Sequence, residues 1–177
     1  FFIRIYNEIP DCILAEFSTL KILQASNFVD FRKVFCAHLK SLFLVPANTF
    51  DNVKGTFPIG FHIWNTANKV PFSGFIADVY DAYGKYLCKK KINYYNSKSL
   101  IIDWLRDYYD KEGEIIGYFR LLGTDFQHNK YLTIISCLSK NDIEQHIYTH
   151  ITRKNLIPIC IYLSVRHCIE ATWLNDR

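Results

Sequence analysis

The chain has 177 residues, half of them hydrophobic, with 21 basic and 17 acidic side chains and a formal charge of +4. That is enough material for one domain, or one and a half small ones, with a core that needs neither disulfide nor metal. The composition excludes a disordered chain, the scarcity of Gly (7) and Pro (5) excludes collagen-like and linker-rich chains, and no apolar run reaches the roughly 18 residues of a membrane span.

The chain carries no Met and opens on the apolar run Phe1-Phe2-Ile3, with no secretory n-region ahead of it. The expectation is a piece of a longer protein. Residues 1–9, apolar at 1, 2, 5, 6 and 9, read as the end of an amphipathic helix stopped before Pro10. Residues 12–17 read as a short buried strand. Asn27, with Asp30 three residues on, caps a helix that places Phe28, Phe31, Val34 and Phe35 inward and Arg32 and Lys33 outward. Residues 41–45 form a second apolar run, stopped by Pro46, and residues 59–64 a third strand candidate after a loop at 47–58. Strands alternating with helices imply a parallel sheet. The link to the third strand is too short for a crossover, so that strand is expected antiparallel to the second.

Residues 75–80 and 86–94 alternate around Asp81-Ala82-Tyr83-Gly84, which is hairpin chemistry. Ser97 is read as the cap of a helix with Leu100, Ile101, Trp104, Leu105 and Tyr108 inward. Residues 117–122 and 131–137 are two further strands. Asn141 with Glu144 suggests a capping box for a helix to about Ile151, and an apolar helix runs from about Pro158 to Trp173. The best boundary lies between 65 and 71, giving units 1–66 and 67–177, with one continuous domain as the alternative.

The six cysteines, at 12, 36, 88, 137, 160 and 168, form no C-x-x-C pair and lie among apolar residues. They read as buried free thiols of a cytoplasmic protein. His146 and His150, four apart on the helix expected to reach Ile151, could face one metal, but H-I-Y-T-H lacks the Glu of a metalloprotease helix, and solvated histidines are the commoner case. Neighbouring His167 and Cys168 point about 100° apart on a helix, which leaves them structural. Lys89 and Lys91 share one strand face with Asn93. They are either phosphate contacts or the lysines that guard an edge strand.

The most informative segment runs from residue 50 to 64, FDNVKGTFPIGFHIW. It places Phe50, Asn52, Lys54, Gly55, Phe57 and Pro58 just beyond a parallel-type strand, where open α/β sheets bind ligands. A loop aromatic can stack on a base and a nearby lysine can hold a phosphate; equally, both phenylalanines can simply pack the loop onto the sheet.

The stretches FSTLKILQASNFVDFRKVF and LFLVPANTFDNVKGTFPIGFHIW resemble the later half of the catalytic domain of bacterial DNA methyltransferases that act on the exocyclic amino group of adenine in restriction–modification systems. The likeness spans residues 1–66, and IYLSVRHCIEATWLNDR is similar less specifically. It implies an α/β fold: a partial Rossmann-like methyltransferase sheet made of its last three strands. Residues 12–17, 41–45 and 59–64 would be the fifth, sixth and seventh, the seventh slotted antiparallel between the other two, and an α+β extension would follow.

Such enzymes flip adenine out of the duplex. The resemblance implies that Phe57, with Pro58 beside it and Phe50 as fallback, packs on the flipped base. It makes Lys21 and Lys54 candidates for phosphate contact, with Asn52, Lys89 and Lys91 completing the DNA-facing set. The expected partners are double-stranded DNA and the missing N-terminal half of the parent, with no membrane. The family's Asn/Asp-Pro-Pro-Tyr/Phe tetrad and its glycine-rich loop for S-adenosylmethionine do not occur in these 177 residues. Catalytic residues and most of the cofactor site are therefore expected outside the chain, which alone would be inactive. The alternative is a non-catalytic Rossmann-like module that binds nucleic acid or protein.

Overall fold

A computed structural model describes residues 1–94, 100–123 and 126–175. The chain divides into two compact units, residues 1–96 and 97–177. The first is built on a mixed five-stranded sheet and the second on a three-stranded antiparallel sheet, so the class is α/β.

In the first unit, α1 (Phe2–Glu8) leads into β1 (Ile13–Thr19). Two short helices, α2 (Lys21–Gln24) and α3 (Val29–Val34), then connect to β2 (His38–Pro46). β3 (Pro58–Asn65), β4 (Gly74–Tyr80) and β5 (Tyr86–Asn93) follow, and the sheet order is β1-β3-β2-β4-β5. β3 runs antiparallel to both β1 and β2, so those two point the same way on either side of it. This is the arrangement expected of the strand at 59–64. β4 adds parallel to β2 and pairs antiparallel with β5.

Period-2 alternation sorts the side chains onto two faces. One carries Leu14, Leu42, Leu44, Trp64, Ala77, Val79 and Ile92, all buried. Each such large aliphatic side chain contributes about 1.5–3 kcal/mol by leaving water. Leu20, Ile22, Leu23 and Phe35 of the helical segment are buried with them, Phe35 meeting Trp64 at 5.2 Å between ring centroids. α1 closes on the same segment through Phe2 and Tyr6, 5.4 and 5.3 Å from the Phe35 ring.

The region between β1 and β2 departs from expectation. Asn27 caps nothing; it lies in a 3-10 turn (Ser26–Phe28) between α2 and α3. Arg32, expected outward, is 7% exposed: its Nη1 and Nη2 donate to the carbonyls of Ile22 (3.0 Å) and Ala25 (2.8 Å), and its guanidinium lies 3.6 Å from the centre of the Tyr94 ring. The break after α2 exposes carbonyls that attract a cation, and the arginine is drawn in to meet them.

β4 and β5 belong to the first sheet because β4 bonds directly to β2. The division expected near residue 66 therefore falls inside the first unit.

In the second unit, β6 (Gly117–Arg120) lies between β7 (Thr133–Ile135) and β8 (Tyr148–Ile151), antiparallel to both. The helices are α4 (Ile101–Arg106), α5 (Lys140–Glu144) and α6 (Leu156–His167). Ile102, Leu105, Phe119, Leu132, Ile151, Ile159 and Tyr162 form the core. Ser97, the expected cap of α4, lies outside the described residues. Leu100, Ile101 and Tyr108 are exposed rather than inward, since Ile102 and Leu105 set the buried stripe and Trp104 is only half-buried.

The helix expected to reach Ile151 ends at Glu144. Ser139, not Asn141, caps it in a box with Asp142. Two pulls end the helix early. His146 takes a left-handed backbone (φ 50°), and residues 148–151 pair with β6 instead of continuing the helix. Asp142 also meets Arg120 Nε at 3.0 Å; the Ser139 hydroxyl and amide, with a smaller push from Arg120, hold its carboxyl below the ordinary range.

All six cysteines are free, but they are not buried: Cys12 and Cys36 are half-buried, while Cys88, Cys137, Cys160 and Cys168 are exposed. Cys160 lies on α6 and Cys168 caps its carboxyl end. Among the described residues no helix is long and apolar enough to cross a membrane.

Candidate nucleic-acid interface

Because β3 reverses between β1 and β2, the carboxyl ends of β1 and β2 and the amino end of β3 meet at one sheet edge. Thr19 of β1 pairs with Ile59, and Pro46 of β2 pairs with Pro58. Two connections emerge there: the turn into α2, which carries exposed Lys21, and the loop between Pro46 and Pro58, which carries Phe50, Asn52, Lys54 and Phe57.

The loop is closed by its own bonds. The Ala47 amide donates to the Phe57 carbonyl (2.9 Å) and the Phe50 amide to the Ala47 carbonyl (3.2 Å). Val45, Ala47 and Ile59 form a small buried cluster, against which Phe43, Phe50, Val53, Phe57 and Tyr80 pack. Asn52 (φ 64°) and Gly55 (φ 133°) make the reversals. At Gly55 glycine is needed twice over, since a Cβ there would stand 2.6 Å from Cε1 of Phe57. The Phe57 ring thus rests against the Gly55 backbone.

Phe57 and Phe50 are both half-buried, and Phe50 meets Phe17 at 5.0 Å. Pro58 is buried as the first residue of β3, whereas Asn52 and Lys54 are exposed at the loop tip. Six of the eight sequence candidates therefore gather at this edge. Lys89 and Lys91 do not: they stand exposed on β5, opposite Asp78 and Ile76.

The second sheet face carries side chains outside the set expected from sequence. Phe17, Phe61, Phe43, Asp78 and Lys89 form one cross-strand row over all five strands. The three rings touch, with centroids at 4.7 Å (Phe17–Phe61) and 5.3 Å (Phe43–Phe61). Phe17 at 49% and Ile76 at 60% exposure show how open this face is. The odd-numbered phenylalanines of the three strands were the available signal.

Beneath the opposite face lies His62, fully buried, with neither ring nitrogen in a hydrogen bond of good geometry. Burial pushes its pKa from 6.5 down to about 4, and the Ser18 backbone acts weakly in the other direction. A buried neutral imidazole between Gly60 and Trp64 is a core residue.

A cofactor site for S-adenosylmethionine was expected mostly outside these residues. The turn after β1 is Thr19-Leu20-Lys21, without glycine, and Leu20 fills it with a buried side chain. That turn offers no glycine cradle to such a cofactor. Among the described residues no group of three or more His, Cys, Asp or Glu side chains could hold a metal. Compared with known proteins, the chain matches no family model, no curated protein and no solved structure.

Proposed function

We propose that the first unit is the target-base and DNA-facing part of an adenine-specific DNA methyltransferase of the restriction–modification type, with the second unit as an extension. The observation that carries this reading is the reversed β3 between β1 and β2, which gathers Lys21, Asn52, Lys54, Phe50 and Phe57 at one edge. In this reading the lysines hold phosphates, which sets register without reading sequence. Phe57 and Phe50 offer ring surface to an extruded adenine, with Pro58 fixing the start of β3 behind them. In this reading the acceptors for the adenine amino group and the site of the methyl donor are not supplied by residues 1–177.

The test is methyl transfer to duplex DNA by the protein translated from the whole reading frame. N6-methyladenine in the product supports the reading. Its absence, together with no Pro-Pro-Tyr or Pro-Pro-Phe tetrad within about 40 residues upstream of Phe1, where one strand–loop–helix unit would carry it, overturns it.

A second reading, a non-catalytic nucleic-acid-binding module, is favoured by the row Phe17, Phe61, Phe43, Asp78, Lys89. Rings on an open sheet face beside a lysine edge suit unpaired bases and their phosphates. Under this reading DNA binding persists without methyl transfer, is lost in Phe17→Ala, and is unchanged in Phe57→Ala.

A further inference from the structure

The second unit holds a cleft of about 380 Å³ lined by Tyr109, Asp110, Lys111, His146, Tyr148 and His150, with Thr149 between the last two. Its size lies within the range of small-ligand sites, roughly 300–1,000 Å³. His146 and His150, four apart in sequence, both line this cleft, though they do not share a helix. His146 sits in the turn after α5, and His150 on β8.

The polar groups of this cleft are unevenly committed. Asp110 is spent on the fold. Its Oδ1 accepts the amides of Glu112 (3.1 Å) and Gly113 (3.2 Å), and its Oδ2 accepts the Thr152 hydroxyl (2.9 Å). These bonds, the Thr152 hydroxyl foremost, hold its carboxyl below the ordinary range. Among the described residues, Lys111, His146 and His150 have no side-chain hydrogen bond or ion pair. Three nitrogen-bearing side chains thus line a cleft whose one carboxylate is bonded to the fold. An imidazole donates an N–H in either protonation state, and an ammonium donates three, so these uncommitted groups suit an anionic acceptor.

The walls are aromatic. Tyr148 and His150 lie 5.9 Å apart, ring planes at 34°, and both lean on Tyr118 of β6 at 6.0 and 5.7 Å. Pairing of β8 with β6 and the bond from Asn155 Nδ2 to the His150 carbonyl (3.0 Å) fix this wall in place. Tyr109 lines the same cleft. The left-handed backbone of His146 (φ 50°) is a conformation that costs energy for a non-glycine residue and that gathers at functional positions.

We infer that this cleft binds a planar ligand bearing a phosphate, of the class of a nucleoside 5′-monophosphate, either free or as the 5′ end of a strand. Lys111, His146 and His150 hold the phosphate, and Tyr109 and Tyr148 receive the base. This inference does not depend on the methyltransferase reading.

The test is calorimetric titration of the full chain with adenosine 5′-monophosphate, adenosine and inorganic phosphate. The mononucleotide should bind saturably, with adenosine and phosphate each at least tenfold weaker. Lys111→Ala and His146→Gln, both at exposed positions, should each weaken binding severalfold, and Tyr148→Leu likewise. Tighter binding of a 5′-phosphorylated trinucleotide than of the mononucleotide assigns the strand end; the reverse assigns the free nucleotide. No saturable binding at millimolar mononucleotide, or binding unmoved by Lys111→Ala and His146→Gln, overturns the inference.

Discussion

The ring of Phe50 stands edge-on to that of Phe17, centroids 5.0 Å apart and planes at 72°. This contact ties the loop at the sheet edge to the open aromatic face. Edge-to-face pairs contribute about 0.5–1.5 kcal/mol beyond their burial. A double-mutant cycle of Phe17→Ala and Phe50→Ala, followed by urea unfolding, should return a coupling of that size. A coupling of zero would mean the loop is held by its backbone bonds alone.

His62 should make the first unit acid-sensitive. Its folded pKa of about 4 lies below the ordinary 6.5, so between these values the unfolded chain binds a proton that the folded one refuses. Stability is undiminished above pH 6.5 and falls with pH toward 4, at most by about 1.4 kcal/mol per unit and about 3 kcal/mol in all. Glu16, directly opposite on β1, works the other way: burial raises its folded pKa, so it gains stability as pH falls through that value. Denaturant midpoints measured from pH 7 to 4 should decline in the wild type and flatten in His62→Leu. Equal slopes in both would assign the acid limb to other groups.

Asn129 should hold the second unit together beyond its size. Its Nδ2 donates to the carbonyls of Arg166 and Ile169, while its Oδ1 accepts Arg166 Nε at 2.9 Å. Arg166 is 1% exposed, and its Nη1 donates to the Tyr162 hydroxyl at 2.7 Å. Asn129→Ala strips a buried guanidinium nitrogen and two carbonyls of a partner, at a cost of about 1–3 kcal/mol or more. Loss of the aromatic near-ultraviolet signal at lower denaturant would report it; an unchanged midpoint would show that water replaces the amide.

Much of the first unit was legible because its strands alternate over several residues and Pro46 and Pro58 bound the loop. The reversal of β3 followed from the shortness of its link. Arg32 was misplaced because helical periodicity knows nothing of the carbonyls that α2 exposes ten residues earlier. His146 and His150 were read on a helix because a capping signal preceded a short apolar run, and only pairing with β6 decides such a run in favour of strand. The apolar run at 12–17 suggests a buried strand, whereas Phe17 stands on the open face at 49% exposure. Burial depends on what covers a face, and sequence alternation carries no information about that.

In the proposed enzyme Phe57 packs on the flipped adenine, and Phe57→Leu probes that contact. Leucine keeps the apolar volume that packs on Gly55 but removes the flat ring. In the protein from the whole reading frame, kcat/KM for methyl transfer to duplex DNA should fall by roughly 5- to 150-fold, the worth of about 1–3 kcal/mol of base stacking. Thermal stability should stay close to that of the wild type. Methyl transfer at the wild-type rate in Phe57→Leu, or none in the wild type, would rule this role for Phe57 out.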